Sequence, residues 1–401
     1  MDTHRALNIE RLLGNATGDY VKTEIIQATA GAATLSAVTY IPIMARSELG
    51  ADDFYITMLV ASYAAASFFA SYLFGRAGDI YGRRLILRVG LLTALVSFGL
   101  IWFAYTPEML LVIRLFNGFS VGMYPGALAA YAYDSKMRMG RFASFGAVGW
   151  GFGTILAGYA AGFEVRLAFL VATLFFLVAF LSAMTLPTTQ RTHMRVPLFP
   201  VETFRRNMSV YCAVLVRHSS ASAIWTLWPL FLVYIGGDTL TIGIVQATNS
   251  LSQVVFMLGL ADRFRSRNLI ILGLAFSSLT FYWFTLASNI VEILPAQVLL
   301  GLSWSCLYVG ALKYVTERNE ERATATGLLQ SMLAISGVLG PLIASGLITI
   351  WQGSLAYTAI MSFGAVMSIL ALALFMLTYR EAAIPSIQTQ PSITTKTSTE
   401  Y

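Results

Sequence analysis

The chain is poor in charged side chains for its length. Only 11% of its 401 residues are Asp, Glu, Lys or Arg, whereas a soluble globular protein has about 25%. Hydrophobic residues make up 57% of the chain, and a single soluble core rarely grows beyond about 250–300 residues. These features exclude a disordered protein, a disulfide-rich secreted scaffold and a cytosolic enzyme. They favour a protein that crosses a membrane several times.

The side chains that commonly bind metals or perform catalysis are also scarce. The two cysteines, Cys212 and Cys306, lie in apolar runs and form neither a disulfide framework nor a CxxC metal site. The three histidines, His4, His193 and His218, are far apart along the chain, and HExxH, GxSxG and P-loop motifs are missing. We therefore expect no enzyme activity, no metal, no cofactor and no ATP-driven pump on this chain alone.

Long charge-free runs follow one another through the chain. A membrane-spanning helix needs about 20 apolar residues, and an uncharged run of 18 or more is a candidate. Cutting the chain at every charged residue leaves eleven such runs, and the longest, 323–379, is divided by a turn-like sequence at 351–354. Prolines limit the run 167–201 to one helix. The sequence thus predicts twelve spans, from runs at 25–45, 54–75, 89–107, 115–133, 142–163, 167–201, 218–237, 239–261, 268–291, 293–312 and 323–379.

The distribution of Lys and Arg predicts how these spans are oriented. The N-terminal tail, the even-numbered loops and the C-terminal tail hold 21 of the 26 Lys and Arg residues, and the opposite loops hold only Arg46 and Arg166. Because cytoplasmic loops carry the excess of positive charge, we expect both termini in the cytoplasm and a multi-pass protein of the plasma membrane. The net charge of +6 then reflects topology, so no nucleic-acid partner is expected. We expect a monomer in the lipid bilayer.

The sequence also repeats itself at an offset of 183–187 residues. Residues 118–120 (Gly-Phe-Ser) match 301–303 (Gly-Leu-Ser), and 78–84 match 261–267. Many transporters are built from such repeats, with the substrate site near the membrane midplane between them. The predicted organisation is an N-terminal cytoplasmic tail at 1–20, a six-helix bundle at 21–185, a cytoplasmic linker at 186–207, a second six-helix bundle at 208–380 and a disordered cytoplasmic tail at 381–401.

A glycine-rich motif with one carboxylate follows the second predicted span. Its sequence is Gly75-Arg76-Ala77-Gly78-Asp79-Ile80-Tyr81-Gly82-Arg83-Arg84, which predicts a tight turn permitted by glycine; an ordinary positively charged loop is the alternative. The pattern Gly-x-x-Gly-Asp-x-x-Gly-Arg-Arg resembles the signature of the major facilitator superfamily, and a degenerate copy lies at Gly259–Arg267. The resemblance implies an all-α integral membrane fold of twelve helices in two pseudo-symmetric six-helix bundles, and a secondary transporter of small molecules.

The resemblance also implies a latch on the cytoplasmic side. In the family the loop carboxylate, here Asp79, is thought to face the N-terminus of span eleven near Ala323, whose positive dipole end would attract it. The loop arginine, here Arg83, would pair with Asp134 at the inner end of span four. Together these contacts would hold the two halves in the outward-facing state. The implied latch residues are Gly75, Gly78, Asp79, Gly82, Arg83, Arg84, Asp134 and Asp262.

One arginine lies within the fourth predicted span. Arg114 begins the sequence Arg-Leu-Phe-Asn-Gly and lies about 10 Å from the outer boundary at 1.5 Å per residue. A charge there is costly and marks function, unless the side chain only reaches the membrane surface. The family has a similar Arg-x-x-x-Gly associated with proton coupling, and we place Arg114 and Asn117 on the substrate or proton pathway. The glycines at 118, 122 and 126 predict close packing of a neighbouring helix.

Other features leave the coupling mechanism open. The antiporter branch of the family has Gly-Pro in span five, but no proline occurs between Pro125 and Pro187. Gly340-Pro341 in span eleven is either a hinge or a packing kink. No Asp or Glu lies deep in any predicted span, so coupling through a buried carboxylate is not established.

Polar residues in spans seven, eight and ten are the candidates for the substrate site. In span eight the spacing i, i+3, i+4, i+7 places four polar residues on one helix face, where they either line a cavity or bind neighbouring helices. In span seven a histidine that can titrate near neutral pH lies beside an arginine; the alternative is a histidine at the membrane interface. The candidates are Arg217, His218, Ser222 and Trp225 in span seven, Gln246, Asn249, Ser250 and Gln253 in span eight, and Tyr308 in span ten.

These observations favour a secondary transporter that moves a small organic solute by alternating access, with proton-coupled efflux as the first form. An uptake symporter or a facilitator of the same fold is the alternative. A sensor without transport activity is less favoured, because such proteins usually carry a soluble output domain and both tails here are short. An integral membrane enzyme is also less favoured, because the catalytic motifs named above are missing.

Overall fold

The computed structural model describes residues 3–187, 194–237 and 239–379, and every regular element among them is a helix. Two further segments, Leu100–Phe103 and Ala261–Arg263, are short 3-10 helices. The predicted disordered tail at 381–401 lies outside the described residues. The α-helices are α1 Thr3–Val38, α2 Ile41–Ser47, α3 Asp53–Tyr81, α4 Arg83–Gly99, α5 Pro107–Met123, α6 Pro125–Asp134, α7 Met139–Ala161, α8 Val165–Met184, α9 Val201–Tyr234, α10 Thr239–Gly259, α11 Ser266–Leu286, α12 Ile290–Arg318, α13 Arg322–Ile350 and α14 Ser354–Thr378.

Nine segments of the described residues are long and apolar enough to cross a membrane. They establish a helical protein that crosses the membrane several times. The other three predicted spans correspond to α5 with α6, to α7 and to α9, and for these the count of twelve stays a prediction. The nine segments are Tyr20–Ser47, Phe54–Tyr81, Arg83–Phe103, Val165–Met184, Thr241–Arg263, Ser266–Leu286, Ile290–Arg318, Arg322–Ile350 and Ser354–Thr378.

Proline divides the fourth predicted span into two helices. Pro125 has no N–H to donate, and α5 ends at Met123 while α6 begins at Pro125. Tyr124 between them keeps a right-handed helical conformation, with φ −94° and ψ −26°, so the chain continues in one direction with a break. The helices α9, α12 and α13 each contain an internal proline, at Pro229, Pro295 and Pro341.

The helices pack into two bundles, α1–α8 and α9–α14. In the first, α3 packs on α5 and α1 packs on α7 and α8; in the second, α11 packs on α12 and α9 packs on α13 and α14. Contacts between the bundles are made by α13 with α3 and α6, and by α10 with α7. The central cavity described below lies against these inter-bundle helices.

The glycines of α5 confirm the predicted close approach of a neighbouring helix. A Cβ atom on Gly118 would collide with the carbonyl oxygen of Tyr63 in α3, and one on Gly122 would lie 2.6 Å from the carbonyl oxygen of Ser67. Backbone therefore packs directly on backbone along α3 and α5. Gly126 in α6 instead faces the other bundle, where its Cβ would lie 2.9 Å from the carbonyl oxygen of Ala323.

Candidate functional site

A cavity of about 480 Å³ lies between α7 and the helices α9, α10, α12 and α13. We call it the central cavity. Among the described residues that line it, Trp150 of α7 belongs to the first bundle and all the others belong to the second. The predicted residues that line it are Arg217, His218, Trp225, Gln246, Asn249, Gln253 and Tyr308.

Arg217 is held in the wall of the central cavity, and no Asp or Glu among the described residues pairs with it. Its side chain is 2% exposed, and its Nε donates to the Ser277 hydroxyl at 2.8 Å. The guanidinium carbon lies 5.2 Å from the ring centre of Phe281 and 5.5 Å from that of Trp304. Its Nη2 has no hydrogen-bond partner among the described residues. The cavity wall therefore carries a fixed positive charge with donor capacity to spare.

Aromatic rings are stacked beside this arginine. The ring centres of His218 and Trp304 are 5.1 Å apart with 26° between the planes, and those of Trp304 and Tyr308 are 5.2 Å apart with 11°. The His218 Nδ1 is buried without a hydrogen-bond partner in the described part of the chain. The Tyr308 hydroxyl accepts from the Gln330 amide at 3.2 Å. The wall thus presents flat apolar surfaces edged by polar atoms, an arrangement typical of sites for small organic molecules.

Three of the four polar residues predicted on α10 belong to the wall. The Gln253 amide nitrogen donates to Asn249 Oδ1 at 2.6 Å, and the Asn249 amide donates to the Gln297 carbonyl at 3.4 Å. Gln253 Oε1 and Gln297 Nε2 are buried without partners among the described side chains. Buried amide groups without partners are costly, so the cavity offers both a free acceptor and a free donor to a bound solute.

Two predicted cavity residues lie elsewhere. Ser222 packs against Gly340 of α13, whose Cβ would collide with it, so it does not line the central cavity. The same contact gives Gly340-Pro341 a packing role. Ser250 faces Gly151 of α7, with 4.0 Å between its Cβ and a Cβ built on that glycine. Helix periodicity identified the inward half of each helix, but neighbouring helices cover part of that half.

Arg114 and Asn117 are also separate from the central cavity. Arg114 is 2% exposed and lines a cavity of about 260 Å³ with Tyr63 and Leu333. Its guanidinium carbon lies 4.1 Å from the Tyr63 ring centre, so the side chain does not extend to the membrane surface. Its Nε and Nη1, and both polar atoms of the fully buried Asn117, have no hydrogen-bond partners in the described ranges. Leu333 lines both cavities and separates them.

Sequence reasoning did not identify several residues of the central cavity, and three of these are polar or aromatic side chains that could contact a solute. Trp150, Gln297 and Gln330 all line it. Gln297 stands at the position that matches Arg114 in the repeat, which was the one signal for its location. Trp150 and Gln330 each stand alone in glycine-rich or apolar surroundings, where isolated residues give no periodic pattern to identify their face.

Asp79 makes the contact between the bundles that the motif implied. Its side chain is fully buried. Its Oδ1 accepts from the backbone N–H of Ala323 at 3.2 Å, and its Oδ2 accepts from the N–H and the hydroxyl of Thr324 at 2.7 and 2.8 Å. These donors are the first N–H groups of α13, which have no partners within their own helix. The carboxylate of one bundle therefore caps a helix of the other.

Arginines extend this contact into a network. Arg83 pairs with Asp79 at 3.2 Å and also with Asp134 at the end of α6. Asp134 in turn pairs with Arg322 of α13 at 3.2 Å, a partner that the sequence did not suggest. Arg84, the next residue of the motif, is half-buried at the start of α4. The carboxylates of the first bundle thus bind both the backbone and a side chain of the second.

The prediction that the whole motif forms a turn is wrong. Helix α3 continues to Tyr81, so Gly75 and Gly78 are helical, and of the motif glycines only Gly82 has a positive φ, of 106°. The helical glycines serve close packing instead. A Cβ on Gly75 would lie 2.8 Å from both the Ala323 oxygen and the Gly327 Cα, and one on Gly78 would lie 3.0 Å from the Ala323 Cβ.

Asp262 makes a weaker contact of the same kind in the second bundle. Its Oδ1 accepts from the backbone N–H of Gly140, near the start of α7, at 3.0 Å. Its Oδ2 lies 3.4 Å from Nε of Arg138, whose side chain is 64% exposed. In each half of the repeat an aspartate therefore lies at the N-terminus of a helix of the opposite bundle. Asp262 accepts from one backbone N–H, and Asp79 accepts from two. We use the name latch for the contacts of Asp79, Arg83, Asp134 and Asp262 across the bundles.

Comparison with known proteins gives consistent matches. The sequence model described as Major Facilitator Superfamily matches residues 25–207 and 210–398. The class B tetracycline resistance protein of Escherichia coli is 26% identical over 349 residues, covering 78% of this chain and 85% of that protein. Multidrug resistance protein 1 of Bacillus subtilis (strain 168) is 25% identical over 323 residues, covering 76% and 83%. The crystal structure of the human organic anion transporter MFSD10 (TETRAN) superposes with a TM-score of 0.77 at 16% identity, covering 90% of this chain and 99% of that one.

Proposed function

Because the chain belongs to the major facilitator superfamily and is a membrane transporter and not an enzyme, we propose that it exports a small amphipathic organic solute by alternating access. The observation that carries the proposal is a solute-sized central cavity bounded by both bundles, while the latch holds the bundles together at one end. The two bundles, α1–α8 and α9–α14, rock about the cavity. Export is favoured because the relatives named above are resistance proteins.

We propose that export is coupled to protons. The described wall of the central cavity contains no Asp or Glu, so a cavity carboxylate is not available to carry the proton. His218 is the one imidazole on the described part of this wall, and an imidazole is the side chain type best suited to take up and release a proton at physiological pH. Arg114, buried in the adjoining cavity, lies where it can influence the pathway electrostatically.

Transport into inverted membrane vesicles tests both proposals. Tetracycline and a quinolone are suitable first solutes, followed by a wider panel of amphipathic compounds. Wild-type vesicles with an acidic interior should accumulate at least one solute, and dissipating the pH gradient should abolish accumulation. Transport that persists without the pH gradient contradicts the proposal of proton coupling but leaves the proposal of export standing. Transport of no solute above that of empty vesicles, or transport in the uptake direction only, contradicts export.

The orientation of the termini is part of the proposal. A reporter inserted at Gly236-Gly237, in the predicted outer loop between α9 and α10, should lie outside the cytoplasm, and one fused after Arg380 should lie inside it. The charge asymmetry of the loops supports this arrangement. A cytoplasmic signal from the Gly237 insertion contradicts it.

A further inference from the structure

Resting on the transport function proposed above, we infer that the central cavity selects aromatic organic anions and that Arg217 binds their carboxylate. The inference concerns the sign of the solute charge, which the family fold leaves open. It follows from the charge of the cavity wall, the way Arg217 is fixed, and the aromatic rings next to it.

Arg217 is the one formally charged side chain on the described part of the cavity wall. It is 2% exposed, and no Asp or Glu of the described chain pairs with it. A buried charge without a partner is costly and is retained where it has a function. An anionic solute would offset this cost, whereas a cationic solute would meet a like charge in a poorly hydrated site.

A hydroxyl network holds the guanidinium in place. Ser277 accepts from Arg217 Nε at 2.8 Å, and its own hydroxyl lies 2.6 Å from that of Ser303 and 2.8 Å from the Gly273 carbonyl oxygen. Phe281 and Trp304 contact the guanidinium through their rings. The guanidinium is therefore a positioned group, and little conformational freedom is lost when it binds an anion.

The repeat shows that this arginine is an addition to a shared framework. In the first bundle, Ser97 and Ser120 form a similar hydroxyl pair at 2.8 Å; Ser120 matches Ser303 at the repeat offset, whereas Ser97 lies 180 residues before Ser277. The segment that matches Arg217 at the repeat offset, residues 30–34, contains no charged side chain. The serine pair thus exists without an arginine in one half, so it does not require one for packing. Arg217 then has a role specific to the second bundle.

The aromatic rings indicate what the anion is attached to. Trp150, Trp225, Trp228 and Trp304 line the cavity, and Trp304 stacks with Tyr308 nearly in parallel. Flat π surfaces next to a guanidinium suit a ring that bears a carboxylate. The volume of about 480 Å³ is within the usual range for small-molecule sites and accommodates a two-ring solute.

Three naphthalene derivatives of similar size test the inference on the purified full-length protein. They are 1-naphthoate, 1-naphthamide and 1-naphthylmethylammonium, and their dissociation constants are measured by tryptophan quenching and by thermal stabilisation. Wild-type protein should bind the carboxylate about tenfold to a hundredfold more tightly than the amide, as expected for a charge-assisted hydrogen bond, and bind the ammonium most weakly.

Two charge variants and their controls locate this preference. Arg217→Gln should remove the difference between carboxylate and amide, whereas Arg205→Gln should retain it. Arg205 is exposed on the same helix, about 18 Å away at 1.5 Å per residue. Gln246→Glu adds a negative charge to the same wall without altering Arg217, and should weaken the carboxylate and strengthen the ammonium by about tenfold each. Gln352→Glu, in the exposed turn before α14, is its control.

The outcomes separate this inference from the transport proposal. Three results with the wild-type protein overturn the inference: equal affinities for the three compounds, tightest binding of the ammonium, or binding of none of them. A preference for the carboxylate that survives Arg217→Gln also overturns it. Should Arg217→Gln fail to fold, the response of Gln246→Glu decides: unchanged affinities overturn the inference. Export of tetracycline or another solute in the vesicle assay stands whichever of these results is found, because that assay does not depend on the charge of the solute.

Discussion

Replacing Asp79 with asparagine should open the cytoplasmic side of the protein more often without unfolding it. The substitution keeps the side-chain volume in a fully buried position and removes one negative charge. Asparagine retains one acceptor oxygen, and its amide nitrogen replaces the other, so a donor would face the backbone N–H of Ala323 or Thr324 where a carboxylate oxygen now accepts. In the open state the contacts with α13 are already broken, and the pair of Asp79 with Arg83, which lies in the same bundle, is lost in both states alike. The substitution therefore acts on the closed state.

The size of the effect follows from these contacts. Losing one hydrogen bond to a charged group costs about 1.5–3 kcal/mol, and losing a charge at a helix N-terminus costs up to about 2 kcal/mol. Since both act at one contact they are not fully additive, and we expect a shift of about 2–4 kcal/mol. At 1.4 kcal/mol per factor of ten, the open-to-closed ratio should rise roughly 30-fold to 700-fold.

A buried cysteine reports this ratio. Ser71 is 3% exposed and lies at the contact of α3 with α13. We introduce Ser71→Cys into a chain whose native Cys212 and Cys306 are replaced by alanine. The new thiol should react with an impermeant maleimide only in the open state. Asp79→Asn should raise the labelling rate by the factor above, up to the rate of a freely exposed thiol, and should lower transport. Asp52→Asn, at the other end of α3, is the control because asparagine caps helices as well as aspartate. Unchanged labelling and transport in Asp79→Asn would refute the latch.

Three further substitutions have expected outcomes. Gly75→Ala should also raise cytoplasmic labelling, because its Cβ would lie 2.8 Å from the Ala323 oxygen, whereas Gly346→Ala, with nothing within 4 Å, should not; equal rates in the two variants contradict the packing role. Arg114→Ala should lower solute transport at least about tenfold, and Arg114→Lys should retain most of it if the charge alone is needed; normal transport in the alanine variant gives the residue a purely structural role. Asp262→Asn should raise the labelling rate by less than about tenfold, because it loses one backbone contact beside an exposed arginine; an effect equal to that of Asp79→Asn contradicts this ranking.

The charge-free runs predicted where the helices lie better than where they end. The run assigned to span seven starts at residue 218, but α9 starts at Val201. Arginine, lysine and glutamate favour helices nearly as well as leucine, so a charged residue limits the apolar part of a helix and not the helix itself. The motif at Gly75–Arg84 was assigned to a turn because of its glycines, while α3 continues through most of it.

The candidate site was predictable where a pattern repeated along a helix. The spacing on α10 found Gln246, Asn249 and Gln253, which line the central cavity. It could not exclude Ser250, because the inward face of a helix is wider than the cavity and a neighbour covers the remainder. Trp150 could not be found at all. Trp150 packs on Gly31 of α1: a Cβ atom built on Gly31 would lie 3.3 Å from the indole ring. Such a contact between residues far apart in the chain leaves no local sequence pattern.

The unbalanced positive charge of Arg217 has an electrical consequence. An inside-negative membrane potential acts on any charge whose access changes from one side to the other, by about 2.3 kcal/mol per 100 mV for a full traverse. While the cavity is empty, this voltage favours the orientation in which the guanidinium faces the cytoplasm. Once an anion neutralises the site, the voltage no longer distinguishes the two orientations. For a carrier that works as proposed, the potential of the cell thus returns the unloaded protein to the side from which its cargo is collected.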